Sequence, residues 1–350
     1  MNDSEKPGRL ALPKFVEERQ KVAEKGQLWD RYAESIKNTV LSEAPPVPNS
    51  MLVEVANICN HKCAFCAYPL MTRPSQVIDP KFFKSIAMQA YELGVREVGL
   101  HGGSEPLACK QLEGHIATCR DLGFSYIYFS TNGSLGDEKR FKTIMDSGVH
   151  SIKFSINGGD RETYKEIHGR DHFDKALNNL AFISGYRKSC PQEIMLSVSF
   201  IEVPENAASL PALQKAVLHL VDEIFHVSAN NQSGQMLNLQ VSTHLPDTCQ
   251  IPFNQINITR EGYLRGCCND YQNVLAMVDL NEISLKEAWA GGHFRSFRRR
   301  HLAGDLVGTL CHNCIHGVNE PAAPLRPELG DWGILGEDDR NIIQVGVPKS

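Results

Sequence analysis

The chain has 350 residues, with 36 Lys and Arg against 41 Asp and Glu and a net charge of −5. That length suits one barrel-sized domain with a smaller second one, and the absence of a basic field disfavours nucleic acid as a partner. Residues 1–20 are polar and charged and no long apolar run follows, so the expectation is a cytoplasmic protein without membrane contact, whose eleven cysteines stay reduced and are best read as metal ligands where they cluster.

Residues 1–50 read as a helical extension and linker. Leu12 to Val40 has apolar positions at helical spacing interrupted at Gly26, which predicts two short amphipathic helices, and the prolines of EAPPVPNS mark the linker. From Met51 the pattern alternates between strand and helix. MLVEVAN, REVGLHG, SYIYFSTNG, HSIKFSING, EIMLSVSFIEV and VDEIFHVSA read as six strands. Between them, helices are expected over Pro80–Leu93, Cys109–Leu122, Asp137–Ser147, Asp160–Tyr186 and Ala208–Leu220. Parallel neighbours need such crossovers, so the fold class is α/β with a parallel sheet. Beyond it, QINITREGYLRG reads as a β-hairpin and the stretch around Gly291 and Gly292 as a broken helix. The basic run Arg295–His301 reads as a solvated helix face or a phosphate contact. The Pro- and Gly-rich tail from Asn319 reads as a flexible end or a lid over the site.

The chemistry concentrates in NICNHKCAFCAY, residues 57–68, just after the first strand, where Cys59, Cys63 and Cys66 stand in C-x3-C-x2-C spacing. Zinc sites usually take paired C-x2-C units, and disulfide frameworks belong to small secreted domains. Three thiolates instead hold three irons of a [4Fe-4S] cube and leave the fourth open to another ligand. Cys249, Cys267, Cys311 and Cys314 form a second set, for which a four-thiolate zinc site is the rival reading. Cys109, Cys119, Cys190 and Cys268 remain over; Cys109 and Cys268 are candidates for a thiol that returns a hydrogen atom to a substrate radical.

The first loop, with Phe65 before its third cysteine, resembles the radical S-adenosylmethionine (SAM) superfamily, and C-x12-G-x4-C followed by C-x2-C resembles its twitch auxiliary domain, a shortened SPASM domain. The likeness runs from Met51 to Val318. It implies a (β/α)6 partial TIM-like barrel over 51–244, an auxiliary-cluster domain of hairpin plus helix over 245–318 and a tail over 319–350. It also implies a SAM-binding [4Fe-4S] cluster on Cys59, Cys63 and Cys66, and an auxiliary [4Fe-4S] cluster on Cys249, Cys267, Cys311 and Cys314, with Cys268 able to replace Cys267. In HGGSEPL, Gly102, Gly103 and Glu105 resemble the motif that binds the SAM amino group, with Ser104 inserted. Ser155 and Asn157 are implied contacts of the SAM ribose and carboxylate, and Phe65 of the adenine. Cleavage of SAM to methionine and a 5′-deoxyadenosyl radical, fed by an electron donor such as flavodoxin or ferredoxin, is the implied activity. The twitch pattern resembles enzymes that oxidise an alcohol on an aminocyclitol, so a sugar or aminocyclitol is the expected substrate. Epimerisation through a cysteine, peptide maturation and a non-enzymatic zinc-binding protein are the alternatives.

Overall fold

The computed structural model describes residues 27–236, 239 and 248–329. The first expected helix lies outside them; the second is α1 (Gln27–Lys37), which buries Ala33 and Ile36. Then come β1 (Ser50–Val53), α2 (Pro80–Glu92), β2 (Glu97–Gly99), α3 (Leu112–Leu122), β3 (Tyr126–Thr131) and α4 (Glu138–Asp146). They are followed by β4 (Ser151–Ser155), α5 (Arg161–His168), α6 (Phe173–Tyr186), β5 (Met195–Glu202), α7 (Leu210–Val217) and β6 (Glu223–Ser228). Aspartates start several helices because a carboxylate satisfies amide donors that the first turn leaves unpaired. Asp79 accepts from the amides of Lys81 and Phe82, Asp137 from Arg140 and Asp160 from Thr163. The long helix expected over Asp160–Tyr186 is two helices, because Gly169 takes the left-handed conformation (φ +67°) that ends α5. The helix expected from Cys109 begins at Leu112, after a short 3-10 turn over Pro106–Ala108.

All six strands pair in parallel, in the order β6-β5-β4-β3-β2-β1. Alternation along each strand assigns its two faces. Val98, Ile127, Phe129, Ile152, Phe154, Leu196 and Val198 point into the main apolar core together with Phe83, Ile116, Phe141 and Leu180 from the helices. The opposite face carries Tyr126, Tyr128 and Ser130 on β3, Ser151, Lys153 and Ser155 on β4, Ser197 and Ser199 on β5 and Glu223 and Phe225 on β6. A flat doubly wound sheet would be apolar on both faces. Helices on one face and polar residues on the other are what a sheet curled into a partial TIM-like barrel presents. The helix α1 lies at the strand starts: its Leu28 amide donates to Glu223, and Arg31 stacks over Tyr126 and pairs with Glu97.

The expected hairpin is present as β7 (Gln255–Ile258) and β8 (Tyr263–Arg265), and a third strand, β9 (Ala276–Asp279), joins it. The strand β7 pairs in parallel with β1, from Ser50↔Gln255 to Val53↔Ile258. The expected border at residue 245 therefore separates two parts of one nine-stranded sheet. Downstream lie α8 (Leu285–Ala290), α9 (Gly292–Ala303) and α10 (Leu310–His316), with the first two broken at Gly291 as expected. The basic run on α9 is mainly structural. Arg298 is fully buried, donates to the carbonyls of Pro252, Glu43 and Trp289, and packs on the Trp289 and Phe294 rings, while Arg299 pairs with Glu43. Part of the tail is docked: Ala322 is buried, and the Leu325 amide donates to the Val274 carbonyl. No helix of the described residues is long and apolar enough to cross a membrane.

Candidate metal centres and substrate face

The loop carrying Cys59, Cys63 and Cys66 leaves the sheet at the carboxyl end of β1, where parallel α/β folds place their chemistry. Burial pushes the Cys59 thiol up to about 12 and also raises Cys63 and Cys66. Repulsion among their thiolates acts in the same direction on Cys59 and Cys63. A bound cation would offset that penalty, as soft thiolate-binding metals do while releasing the protons. The Cys59 amide donates to the Tyr68 hydroxyl at 2.8 Å, and the Tyr68 amide to the Cys66 sulfur at 3.4 Å. The Tyr271 hydroxyl, from beyond β8, stands 3.5 Å from the same sulfur. A cavity of about 280 Å³ opens beside the loop, lined by Cys59, Asn60, His61, Tyr68, Met71 and Arg170. Phe65 packs with Ile167 and Val203.

A group of histidines stands against this loop. His168 Nδ1 lies 3.4 Å from the Cys63 sulfur and 3.3 Å from His61 Nδ1, and His61 Nε2 lies 2.9 Å from His172 Nδ1. Nothing in the sequence pairs these residues apart from His61 lying between two of the cysteines.

The other expected contacts bind protein groups. Glu105 is fully buried and accepts from the Thr131 hydroxyl at 2.6 Å, the Asn132 amide at 2.7 Å and the Leu107 amide at 3.0 Å. Burial raises its pKa and these donors oppose the rise, so Glu105 acts here as a brace for the end of β3. Asn157 is also fully buried: its Oδ1 accepts from the Ile201 amide at 2.7 Å and its Nδ2 meets His168 Nε2 at 3.2 Å. Ser155 lies on the inner face, and its hydroxyl accepts from Ser199 at 3.3 Å. Gly102 and Gly103 are required by close approach, since an added Cβ would fall 3.0 Å from the Glu54 side chain and 2.5 Å from the Tyr271 ring.

The later cysteines converge from separate segments. Cys311 is buried and Cys249, Cys267, Cys268 and Cys314 are partly buried, each near enough to at least one other of the group to influence it electrostatically, and desolvation raises Cys249 to about 12. Cys311 and Cys314 lie three positions apart on α10, hence on one face. Cys268 is pulled down because its thiolate accepts from Cys267, with Arg265 adding to the effect. Cys268 also lies close enough to Tyr128 and Lys153 of the inner face to influence both electrostatically. Cys109, the other candidate hydrogen-atom donor, has its side chain in the apolar core. That placement removes it from the inner face.

Between the two cysteine sets lies a buried ion network that the sequence reading missed. Arg73 donates to Glu54 at 2.8 and 3.0 Å, to Glu261 at 2.8 Å and to the Tyr271 carbonyl at 2.7 Å. Burial opposes its charge, but Glu54 and Glu261 outweigh burial and raise its pKa. On the inner face, register aligns Ser130, Lys153, Ser197 and Glu223 in one row. Among the described residues, Ser197 Oγ, Glu223 Oε1 and His101 Nδ1 are buried without a hydrogen-bond partner.

Residues 53–196 match the radical SAM superfamily and residues 249–315 an iron-sulfur cluster-binding domain of SPASM type. The chain thus carries a radical SAM domain, of a superfamily of enzymes, and a C-terminal iron-sulfur cluster-binding domain. These two assignments imply a [4Fe-4S] cluster that binds SAM and an auxiliary iron-sulfur group, and the all-thiol donor sets at the two centres fit them. Over 75% of this chain and 90% of the relative, it is 21% identical to the S-adenosyl-L-methionine-dependent 2-deoxy-scyllo-inosamine dehydrogenase of Niallia circulans. It is 27% identical to a probable GTP 3′,8-cyclase of Sulfurisphaera tokodaii, over 49% of this chain and about half of that protein, 54%. In fold it resembles BtrN in complex with AdoMet and 2-DOIA (18% identity, TM-score 0.52, 76% of this chain and 91% of BtrN). It also resembles Streptococcus suis SuiB bound to the precursor peptide SuiA (15% identity, TM-score 0.58, 84% of this chain and 74% of SuiB).

Proposed function

We propose that this enzyme oxidises an alcohol on a polar, carbohydrate-like small molecule held against the inner face of the sheet. The observation that supports this reading is the row Ser130, Lys153, Ser197 and Glu223, polar where a filled barrel interior would be branched and apolar. The dehydrogenase relative favours the same substrate class. On this reading Cys59, Cys63 and Cys66 hold the SAM-binding cluster, Cys249, Cys267, Cys311 and Cys314 hold the auxiliary one, and a flavodoxin or ferredoxin supplies electrons. When bound, these groups supply a 5′-deoxyadenosyl radical that removes a hydrogen atom from a C–H bond and an acceptor for the electron left behind.

The chain's own residues position the substrate and move a proton. Ser130, Ser197 and Glu223 offer partners to hydroxyl groups. Lys153 has its pKa lowered by burial, and its amine is the base for the hydroxyl proton released as the alcohol carbon becomes a carbonyl. The substrate thereby loses one hydrogen atom, one proton and one electron.

The test is anaerobic incubation with SAM, dithionite and a panel of aminocyclitols and sugars. The expected result is substrate-dependent 5′-deoxyadenosine and a product short of two hydrogens. Epimerisation is the second reading, favoured by Cys268 lying within electrostatic reach of Tyr128 and Lys153. A product with the substrate's elemental formula in ordinary water that carries one solvent deuterium at a single carbon when made in deuterated water, lost in Cys268→Ser, would establish it in place of oxidation. Stimulation by peptides alone would overturn the small-molecule reading.

A further inference from the structure

The geometry points to His168 as a positioning residue that donates its Nδ1–H to the Cys63 sulfur and thereby raises the reduction potential of the SAM-binding cluster. This inference rests on the ligand assignment proposed above. The Asn157 backbone amide lies 3.1 Å from His168 Nε2. A peptide N–H can only donate, so Nε2 carries a lone pair, and the ring proton of the neutral imidazole is on Nδ1. That nitrogen faces Cys63 at 3.4 Å. The direction propagates outward. His61 Nδ1, 3.3 Å from His168 Nδ1, is a second acceptor for that one proton, so the N–H is shared between the Cys63 sulfur and His61. His61 then carries its own proton on Nε2, facing His172 Nδ1 at 2.9 Å and the Ser134 hydroxyl at 3.3 Å.

The donor is held in place from several sides. The Tyr164 ring stacks on His168 with centroids 4.0 Å apart at 21°. The same helix end grips the cysteine loop through its backbone, since the Lys62 amide donates to the His168 carbonyl at 3.2 Å and the Ala64 amide to the Ile167 carbonyl at 2.8 Å. Gly169 makes this approach possible, because a Cβ there would lie 3.0 Å from the Lys62 carbonyl oxygen. Hydrogen bonds to cluster sulfurs stabilise the reduced, more negative state and are one of the levers that set iron-sulfur potentials. A buried N–H aimed at one thiolate of three therefore makes the cluster easier to reduce, which matters for a centre that must accept an electron before each turnover.

The test is an EPR-monitored redox titration of the whole two-cluster protein, in which the SAM-binding cluster is identified as the signal that changes when SAM is added. His168→Leu is expected to weaken reduction at least tenfold, a shift of ~59 mV to more negative potential for one electron. His168→Asn, whose amide N–H stands where Nδ1–H stood, is expected to recover most of the shift. A fully metallated His168→Leu protein with unchanged potential overturns the inference. Should His168→Leu fail to hold iron, wild-type protein labelled with 15N-histidine decides: a histidine nitrogen coupled to the reduced cluster supports the assignment, and its absence overturns it. Cys63→Ala separates the two levels, because a SAM-responsive signal surviving that change refutes the ligand assignment itself.

Discussion

The two cysteine centres are built in opposite ways. Cys59, Cys63 and Cys66 come from one loop of eight residues, so the sequence alone brings them together, and the fold adds what surrounds them: Tyr271, His168 and an adjoining cavity. Cys249, Cys267, Cys268, Cys311 and Cys314 come from separate segments and meet only after β7–β9 and α10 have packed. The first centre has fewer thiols than a cluster has irons, which leaves room for a small-molecule ligand; the second has more than enough to close the coordination. Local assembly is compatible with an open, exchangeable site, whereas long-range assembly yields an enclosed one tied to the stability of the fold.

The sharpest way to break this contrast is to remove each donor set. Replacing Cys59, Cys63 and Cys66 together with alanine is expected to remove about four irons and abolish 5′-deoxyadenosine formation, as read by iron analysis and chromatography. Cys311→Ala is expected to remove about four different irons while leaving SAM cleavage measurable, with product formation lost instead. The junction between the centres should respond next. Arg73→Met removes the cation shared by Glu54 and Glu261, leaving only Arg265 and Arg260 beside them, and is expected to cost about 3 kcal/mol in a denaturant titration. The fifth thiol then tests redundancy: Cys268→Ala is expected to keep nearly full iron and Cys267→Ala to lose the auxiliary iron, and the reverse pattern would exchange their roles. The smallest effect is with pH. Burial works against the Glu261 charge, but Arg73 and Arg260 overcome it and hold its pKa below the usual 4.5. A depressed carboxylate stabilises the fold fully above its unfolded value and loses that contribution as pH falls through the folded one. The urea midpoint of the wild type should therefore drop on acidification below 4.5 more steeply than that of Glu261→Gln.

Much of this was legible because it was local. Spacing disclosed the cysteines, period-two alternation disclosed the six strands, and Gly291 marked a helix break. What stayed hidden depended on distant partners. No local pattern tells that Tyr271 reaches Cys66 or that His168 reaches Cys63 across 105 positions. The family resemblance implies Glu105 and Asn157 as SAM contacts, and carboxylate and amide side chains at strand ends suit a small molecule. At full burial their polar atoms are partnered within the protein, so both also brace the strand ends they stand on. Arg298 shows the reverse case, a charge in a basic run whose neighbours Pro252 and Glu43 lie far away in sequence and take it inside.

The parallel pairing of β1 with β7 has a consequence for how the chain is made. Ser50 waits for Gln255, 205 positions later (255 − 50), before that edge of its strand is covered. At ribosomal speeds of roughly 5–20 residues per second the wait is about 10–40 s. Throughout it the strand that leads into the first cysteine loop presents an uncovered flank, a template for unwanted pairing. Metal insertion at that loop is thus set against a clock that runs until the last third of the protein has emerged, and slow emergence of residues 250–260 would favour aggregation over maturation.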